Sequence, residues 1–240
     1  MKKLLLSGIL AFGLVCIHVS STFAAIDQLP YLSDILQMQP DVSEQELLSN
    51  VEAIAKETGK SKEEIVAQIY KELKNDAEQA TIEHKYNLNG GSGGTVPVGS
   101  SSKGNFFYTD SQTAYLNHGH VGLYYASNTI VESVPGAGVR KISTTSRLVD
   151  KGGACVKSVS TSLTNRSAAA NWAYGEIGES YSYNFATNRL TGYNGAKNCS
   201  KLIWSAYKLH GNLDLDKNGG LGVYPRDVRD ASSTKLVRNI

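Results

Sequence analysis

The sequence predicts an α+β domain preceded by a helical hairpin, and three observations predict it. Short runs rich in β-branched and aromatic residues crowd the stretch from 105 to 159. Segments with helical apolar spacing and their own caps lie on either side of those runs. A glycine- and serine-rich stretch at 89–102 separates the first helical pair from everything that follows. Strands first, with helices flanking them, give the α+β class.

The elements follow in chain order. Lys2 and Lys3 precede an apolar run from Leu4 to Val19, then Phe23-Ala24-Ala25. A basic start, a short apolar core and small residues at the end are the layout of a secretory signal peptide, assigned to 1–25. The run is short for a membrane span. Cys16 falls inside it after the bulky Val15, and is expected to be discarded with it rather than lipidated. No later segment is apolar enough to cross a bilayer, so the mature chain is expected to be exported, without stable membrane insertion.

Residues 26–88 read as a helical hairpin. Ser43 and Glu46 form a capping box, in which each side chain satisfies the other's backbone donor. Leu47, Leu48, Val51, Ile54 and Ala55 follow at helical spacing, and Gly59 ends the helix. Ser61 and Glu64 form a second box before the stripe Ile65, Val66, Ile69, Tyr70 and Leu73. Short amphipathic helices need a partner surface. The segment at 89–102 reads as a Gly/Ser linker, and 103–240 as the domain that carries the chemistry. There, 105–109, 120–125, 129–134 and 154–159 read as strands, and 167–174 and 199–209 as helices.

Net charge is +2 with scattered Lys and Arg, which argues against nucleic acid as a partner. Outside the signal segment two cysteines remain, Cys155 and Cys199, too few for a disulfide scaffold. Asn198 is a good N-cap, and Leu202, Ile203, Ala206 and Leu209 make a buried stripe ended by Gly211. Cys199 therefore sits in a first helical turn. Unpaired N–H groups and the positive dipole end favour the thiolate, the nucleophilic form.

In Asn117 to Tyr125, alternation places His118, His120, Gly122 and Tyr124 on one strand face. A glycine beside His120 leaves room for a partner. Glu132 follows twelve residues later. A hairpin loop centred on Ala126 puts it opposite His120, whereas a two-residue Ser127-Asn128 turn puts it on the other face. Both registers stay open. Where they meet, Glu132 orients the imidazole and stabilises the imidazolium.

The ordered set Gly-Asn-Phe-Phe-Tyr-Thr, Gly-His-Val-Gly-Leu-Tyr-Tyr, Ile-Val-Glu-Ser, Gly-Val, Tyr-Ser-Tyr-Asn-Phe, Asn-Cys-Ser-Lys-Leu-Ile-Trp, Asp-Leu-Asp and Val-Tyr-Pro-Arg-Asp-Val resembles a known family. It is similar to the permuted papain-like amidases of the YiiX/YaeF/YycO type. These are relatives of the NlpC-type cell-wall peptidases and of the lecithin retinol acyltransferase group. The resemblance covers about Lys103 to the C-terminus and leaves out the hairpin. It implies a circularly permuted papain-like (NlpC-like) domain, with the histidine before the cysteine. It assigns His120 as base, Cys199 as nucleophile and Glu132 to the third polar position. The implied reaction is attack on an amide or ester carbonyl through a thioester, with a peptide, cell-wall or acyl substrate and no cofactor. The Cys199 backbone N–H supplies one oxyanion donor. Asn105 departs from the family, which carries Asp there; that position reads as structural.

Two further readings remain. Asp214 to Gly219 resembles the start of a calcium loop, but Pro225 stands where the closing Glu belongs, so a polar turn is preferred and no metal is assigned. The rival to a hydrolase is a non-catalytic secreted binding module stapled by a Cys155–Cys199 disulfide. A cysteine acyltransferase is the other alternative. The hairpin, set between signal and linker, is a candidate pro-segment or wall-targeting arm.

Overall fold

The computed structural model describes residues 29–90, 94–110 and 117–240. The signal segment at 1–25 and Cys16 lie outside them. Three helices open the described chain: α1 Leu32–Met38, α2 Glu44–Thr58 and α3 Lys62–Gly90. The sequence predicts only the last two, because α1 is seven residues long, lacks a side-chain cap and buries just Leu32 and Ile35. Ser43 Oγ accepts from Glu46 N at 3.1 Å. Ser61 and Glu64 complete the reciprocal box, with Glu64 N donating to Ser61 Oγ at 3.2 Å and Ser61 N to Glu64 Oε2 at 2.9 Å. Gly59 takes φ 72° at the end of α2, a left-handed stop that glycine adopts without steric cost.

The chain then forms β1 Thr95–Pro97, β2 Phe106–Thr109, β3 His120–Ala126, β4 Thr129–Val134, β5 Gly138–Ser143, β6 Leu148–Asp150 and β7 Ala154–Val159. Helix α4 Leu163–Gly175, a 3-10 turn at Asn188–Leu190, helices α5 Cys199–Gly211 and α6 Pro225–Asp230, and strand β8 Thr234–Asn239 follow. Within 89–102, which the sequence reads as linker, Thr95–Pro97 pairs antiparallel with Leu148–Asp150 and Val98 is buried. The chain thus joins the domain before Lys103.

Six strands form an antiparallel sheet in the order β5-β4-β3-β2-β7-β8. Alternation gives it two apolar faces. Phe106, Tyr108, Val121, Leu123 and Val131 pack against Ala169, Ala170 and Ala173 of α4 and Leu202, Ile203 and Ala206 of α5. Phe107, Tyr124, Ile130 and Val156 pack under Val98 and Val149 of the β1–β6 ribbon. The chain is thus a mixed helix-and-sheet protein, as predicted.

The N-terminal stripes find their partner surface within the same chain. Leu47, Val51, Ile54, Ile65, Ile69 and Leu73 share one core with Phe185, Ala186, Leu221 and Tyr224. Among the described residues, no helix is long and apolar enough to cross a membrane.

Candidate active site

Asn198 starts the site. It is buried with extended backbone, and its Oδ1 accepts from Lys201 N at 3.0 Å, capping α5. Its amide nitrogen donates to Asn184 O at 3.1 Å, and Ser200 Oγ donates to Val223 O at 2.6 Å. These bonds fix the first turn of α5 and with it Cys199, which is 0 % exposed. The sequence places the helix stop at Gly211; the helix runs through Gly211, and Asn212 takes the left-handed cap at φ 49°.

His120 leads β3 and is 2 % exposed. Its Nε2 lies 2.8 Å from Glu132 Oε2, and its ring lies near enough to Cys199 to feel the charge of that sulfur. With Nε2 turned to the carboxylate, Nδ1 is the nitrogen left for the sulfur. The three side chains singled out in the sequence are therefore brought together.

The hairpin register that unites them has a local cause. Ala126 pairs with Thr129, so the turn is the two-residue Ser127-Asn128 connection. That turn alone puts His120 and Glu132 on opposite faces. A bulge between Tyr124 and Ala126 adds one residue, and Tyr124 pairs with Ile130 and Leu123 with Val131. One extra residue reverses parity. Glu132 then lies beside Gly122 and diagonal to His120 on the same face. A Cβ on Gly122 would sit 2.4 Å from Phe107 Cε1, so only glycine fits there.

Glu132 is 0 % exposed and held from two sides. Arg140, its direct partner across β4–β5, donates to Oε1 from Nε at 3.0 Å and Nη2 at 2.7 Å. Arg147 Nε donates to Oε2 at 2.7 Å. Burial acts to raise the carboxyl's pKa, but the bond and charge of His120, with Arg147 and Arg140, outweigh it and hold the group well below the usual carboxylate range. Burial likewise acts to depress His120. The charge and hydrogen bond of Cys199, then those of Glu132, win, and the imidazole is pushed up to about 9. An imidazolium is the stable form beside this sulfur at neutral pH. Tyr181 lies near enough to feel the charge of Cys199; burial first, then that charge and Tyr183, raise its phenol above the ordinary value.

Arg140 and Arg147 escape a reading built on single residues. The turn residues Pro135 and Gly136 are the signal that could have found Arg140, since a tight turn there sets it across from Glu132.

One expectation is corrected, and the bridge of the rival reading is not found. His118 does not share a strand face with His120: β3 begins at His120, and Gly119 at φ 74° breaks the alternation. His118 is buried, its Nδ1 hydrogen-bonded to Asp76 of α3 and its ring packed on Phe185 and Tyr224 at 4.6 Å and 5.2 Å between centroids. The Cys155–Cys199 disulfide is not formed, and both thiols are free. Cys155 sits on β7 opposite Tyr108, and burial pushes its thiol up.

Asn105 has a structural place: it donates to Ser101 Oγ at 2.7 Å and accepts from Arg166 of α4. In the Asp214–Gly219 turn, Arg189 pairs with both Asp214 and Asp216, and Asn218 donates to Asp227 Oδ1 at 2.9 Å. Among the described residues, no group of three or more His, Cys, Asp or Glu side chains is placed to hold a metal ion.

Residues 101–232 match the family described as permuted papain-like amidase enzyme, YaeF/YiiX, C92 family. YycO of Bacillus subtilis (strain 168) is 44 % identical over 219 residues, covering 90 % of this chain and 89 % of that protein. A solved structure described as the metalloprotein YiiX from Escherichia coli O157:H7 is 15 % identical. It aligns with a TM-score of 0.44 over 59 % of this chain and 98 % of its own.

Proposed function

The chain belongs to the permuted papain-like amidase family of the YaeF/YiiX type, and from that premise we propose that it is an exported cysteine hydrolase acting on an amide bond. The observation that carries the proposal is one buried imidazole, hydrogen-bonded to the Glu132 carboxylate and near enough to Cys199 to feel its charge.

In the proposed mechanism the Cys199 thiolate attacks the carbonyl carbon and a C–S bond forms. The Cys199 backbone N–H, at the start of α5, donates to the developing oxyanion. The His120 imidazolium gives its proton to the leaving nitrogen as the C–N bond breaks, leaving a thioester. His120 then takes a proton from water, the hydroxide attacks the thioester, and acid and thiolate are released. Glu132 fixes the Nε2–H and balances the imidazolium charge, and the two arginines keep Glu132 ionised. The dyad is closed to solvent in this state, so substrate reaches the sulfur only after local opening.

Export rests on the basic start, apolar run and small residues within 1–25. That location favours a cell-wall peptide among amide substrates. Activity-based labelling, followed by screening of peptidoglycan fragments, peptides and acyl esters, tests the reading. Labelling confined to Cys199 with release of new amines is expected. Turnover that persists in Cys199→Ala would overturn it. Product analysis with an added acyl acceptor separates hydrolysis from acyl transfer.

A further inference from the structure

The N-terminal helices do more than cover an apolar surface. Helix α3 sends three carboxylates into the domain that carries Cys199 and His120. Glu72 accepts from Leu221 N at 2.9 Å and Gly222 N at 3.0 Å. Glu83 pairs with Arg226 at 3.1 Å and Arg229 at 2.7 Å. Asp76, between them on the same helix, takes the His118 imidazole on one oxygen and Arg226 Nη1 on the other at 3.2 Å. Both Asp76 and Arg226 are buried.

Arg226 ties this cluster to the chain just before β3. Its Nη1 also donates to Asn117 O at 2.7 Å, and its Nη2 to Asp110 Oδ1 at 3.0 Å. The backbone of residue 117 and the side chain of residue 118 are thus both held from α3 and α6. Gly119 comes next, and a Cβ there would sit 2.7 to 2.9 Å from Tyr108 ring atoms, so the chain is pressed against that ring. His120 follows, at the very start of β3, where the strand ladder begins. A residue at a strand end has ladder bonds on one side only. Its approach direction is set by what holds the residues before it.

We propose that Asp76 is a positioning residue, which through the buried His118 bond and the Arg226 clamp on Asn117 aims the His120 imidazole at Cys199. The inference rests on the reading of Cys199 and His120 as a catalytic pair. It gives the N-terminal helices a role opposite to inhibition: they complete the site. Asp76 lies outside residues 101–232 that match the family, so the device is an addition to the shared domain.

The test is an NMR titration of the His120 ring in three full-length proteins: wild type, Asp76→Asn and His118→Phe. The Phe variant keeps an aromatic ring between Phe185 and Tyr224 and keeps the Asp76 charge, but loses the hydrogen bond. Positioning requires both variants to lower the His120 midpoint by about one unit or more, a tenfold or larger change in its proton affinity. A midpoint unchanged in both folded variants overturns the proposal. So does a fall in Asp76→Asn alone, because that is the field of a lost charge and not a change of aim. Should Asp76→Asn fail to fold, His118→Phe by itself decides: a lowered midpoint supports positioning and a wild-type midpoint refutes it. A wild-type His120 titrating at an ordinary value would instead sink the catalytic pair, so the two failures are distinguishable.

Discussion

Replacing Glu132 by Gln removes one charge and turns one acceptor into a donor in a site already crowded with donors. Glu132 Oε1 receives Arg140, and Oε2 receives Arg147 and His120. The amide oxygen of Gln can serve only one of these sides, and its NH2 faces donors on the other. The cheaper arrangement follows from exposure. The Arg140 side chain is 42 % exposed and can swing into water, whereas that of Arg147 is 17 % exposed and that of His120 is 2 % exposed. Gln therefore keeps its oxygen on the Arg147 and His120 side. Hydrogen bonds to charged groups contribute about 1.5 to 3 kcal/mol each, and the Arg140 share is discounted for its access to water. A net loss of about 2 to 3 kcal/mol of stability is expected, read by urea unfolding near neutral pH. Because Nε2–H keeps an acceptor, the tautomer survives. Turnover should fall by about ten- to a hundredfold, far short of the loss in Cys199→Ala. The His120 midpoint should move down from about 9. Stability within about 0.5 kcal/mol of wild type, together with an unmoved His120 titration, would refute the account of this carboxylate.

Other outcomes follow from the same geometry. Cys199→Ala and His120→Ala should each abolish release of amine from a screened substrate, while His118→Ala retains much more; a dead His118→Ala beside an active His120→Ala would reverse the assignment. His120 is raised from 6.5 to about 9. Its contribution to stability is therefore fully present below the unfolded value and lost as pH rises through about 9, so the unfolding free energy should decline over that window and His120→Ala should flatten the decline. Deleting residues 26–94 strips partners from Phe185, Leu221 and Tyr224. Each fully buried large apolar side chain contributes about 1.5 to 3 kcal/mol, so the truncated protein should unfold or aggregate rather than gain activity; a stable, more active truncation would restore the pro-segment idea. Intact mass of exported material should lack residues before Ala24, and their presence would contradict the signal segment.

Much of this fold is legible because burial leaves a mark on sequence. Strands β4 and β7 carry β-branched residues on packed faces and are read at their observed limits. Helix α5 announces itself through Asn198 and its apolar stripe. The elements that escape are those whose burial is slight. Strand β8, Thr234–Asn239, is an edge with Leu236 and Val237 exposed, so no alternation marks it. Strand β5 sets Arg140 and Lys141 side by side after a turn, so no clean alternation marks it, and buries only its first two positions. The site is legible in its residues and not in its register. The bulge at Tyr125 adds one residue without a local motif, yet it decides whether Glu132 can meet His120. Asp76 stands 42 residues before His118 in another unit of the chain, and such a pairing has no periodicity to betray it.

The central claim is that Cys199 and His120 form a thiolate–imidazolium pair, and the rate of Cys199 alkylation by iodoacetamide at neutral pH, with and without His120, tests it most directly. An imidazolium beside the sulfur favours the reactive thiolate. Cys199 should therefore react readily, and Cys155, whose thiol burial pushes up, should lag behind. His120→Ala should slow Cys199 alkylation at neutral pH. A Cys199 alkylation rate unchanged by His120→Ala would contradict the account.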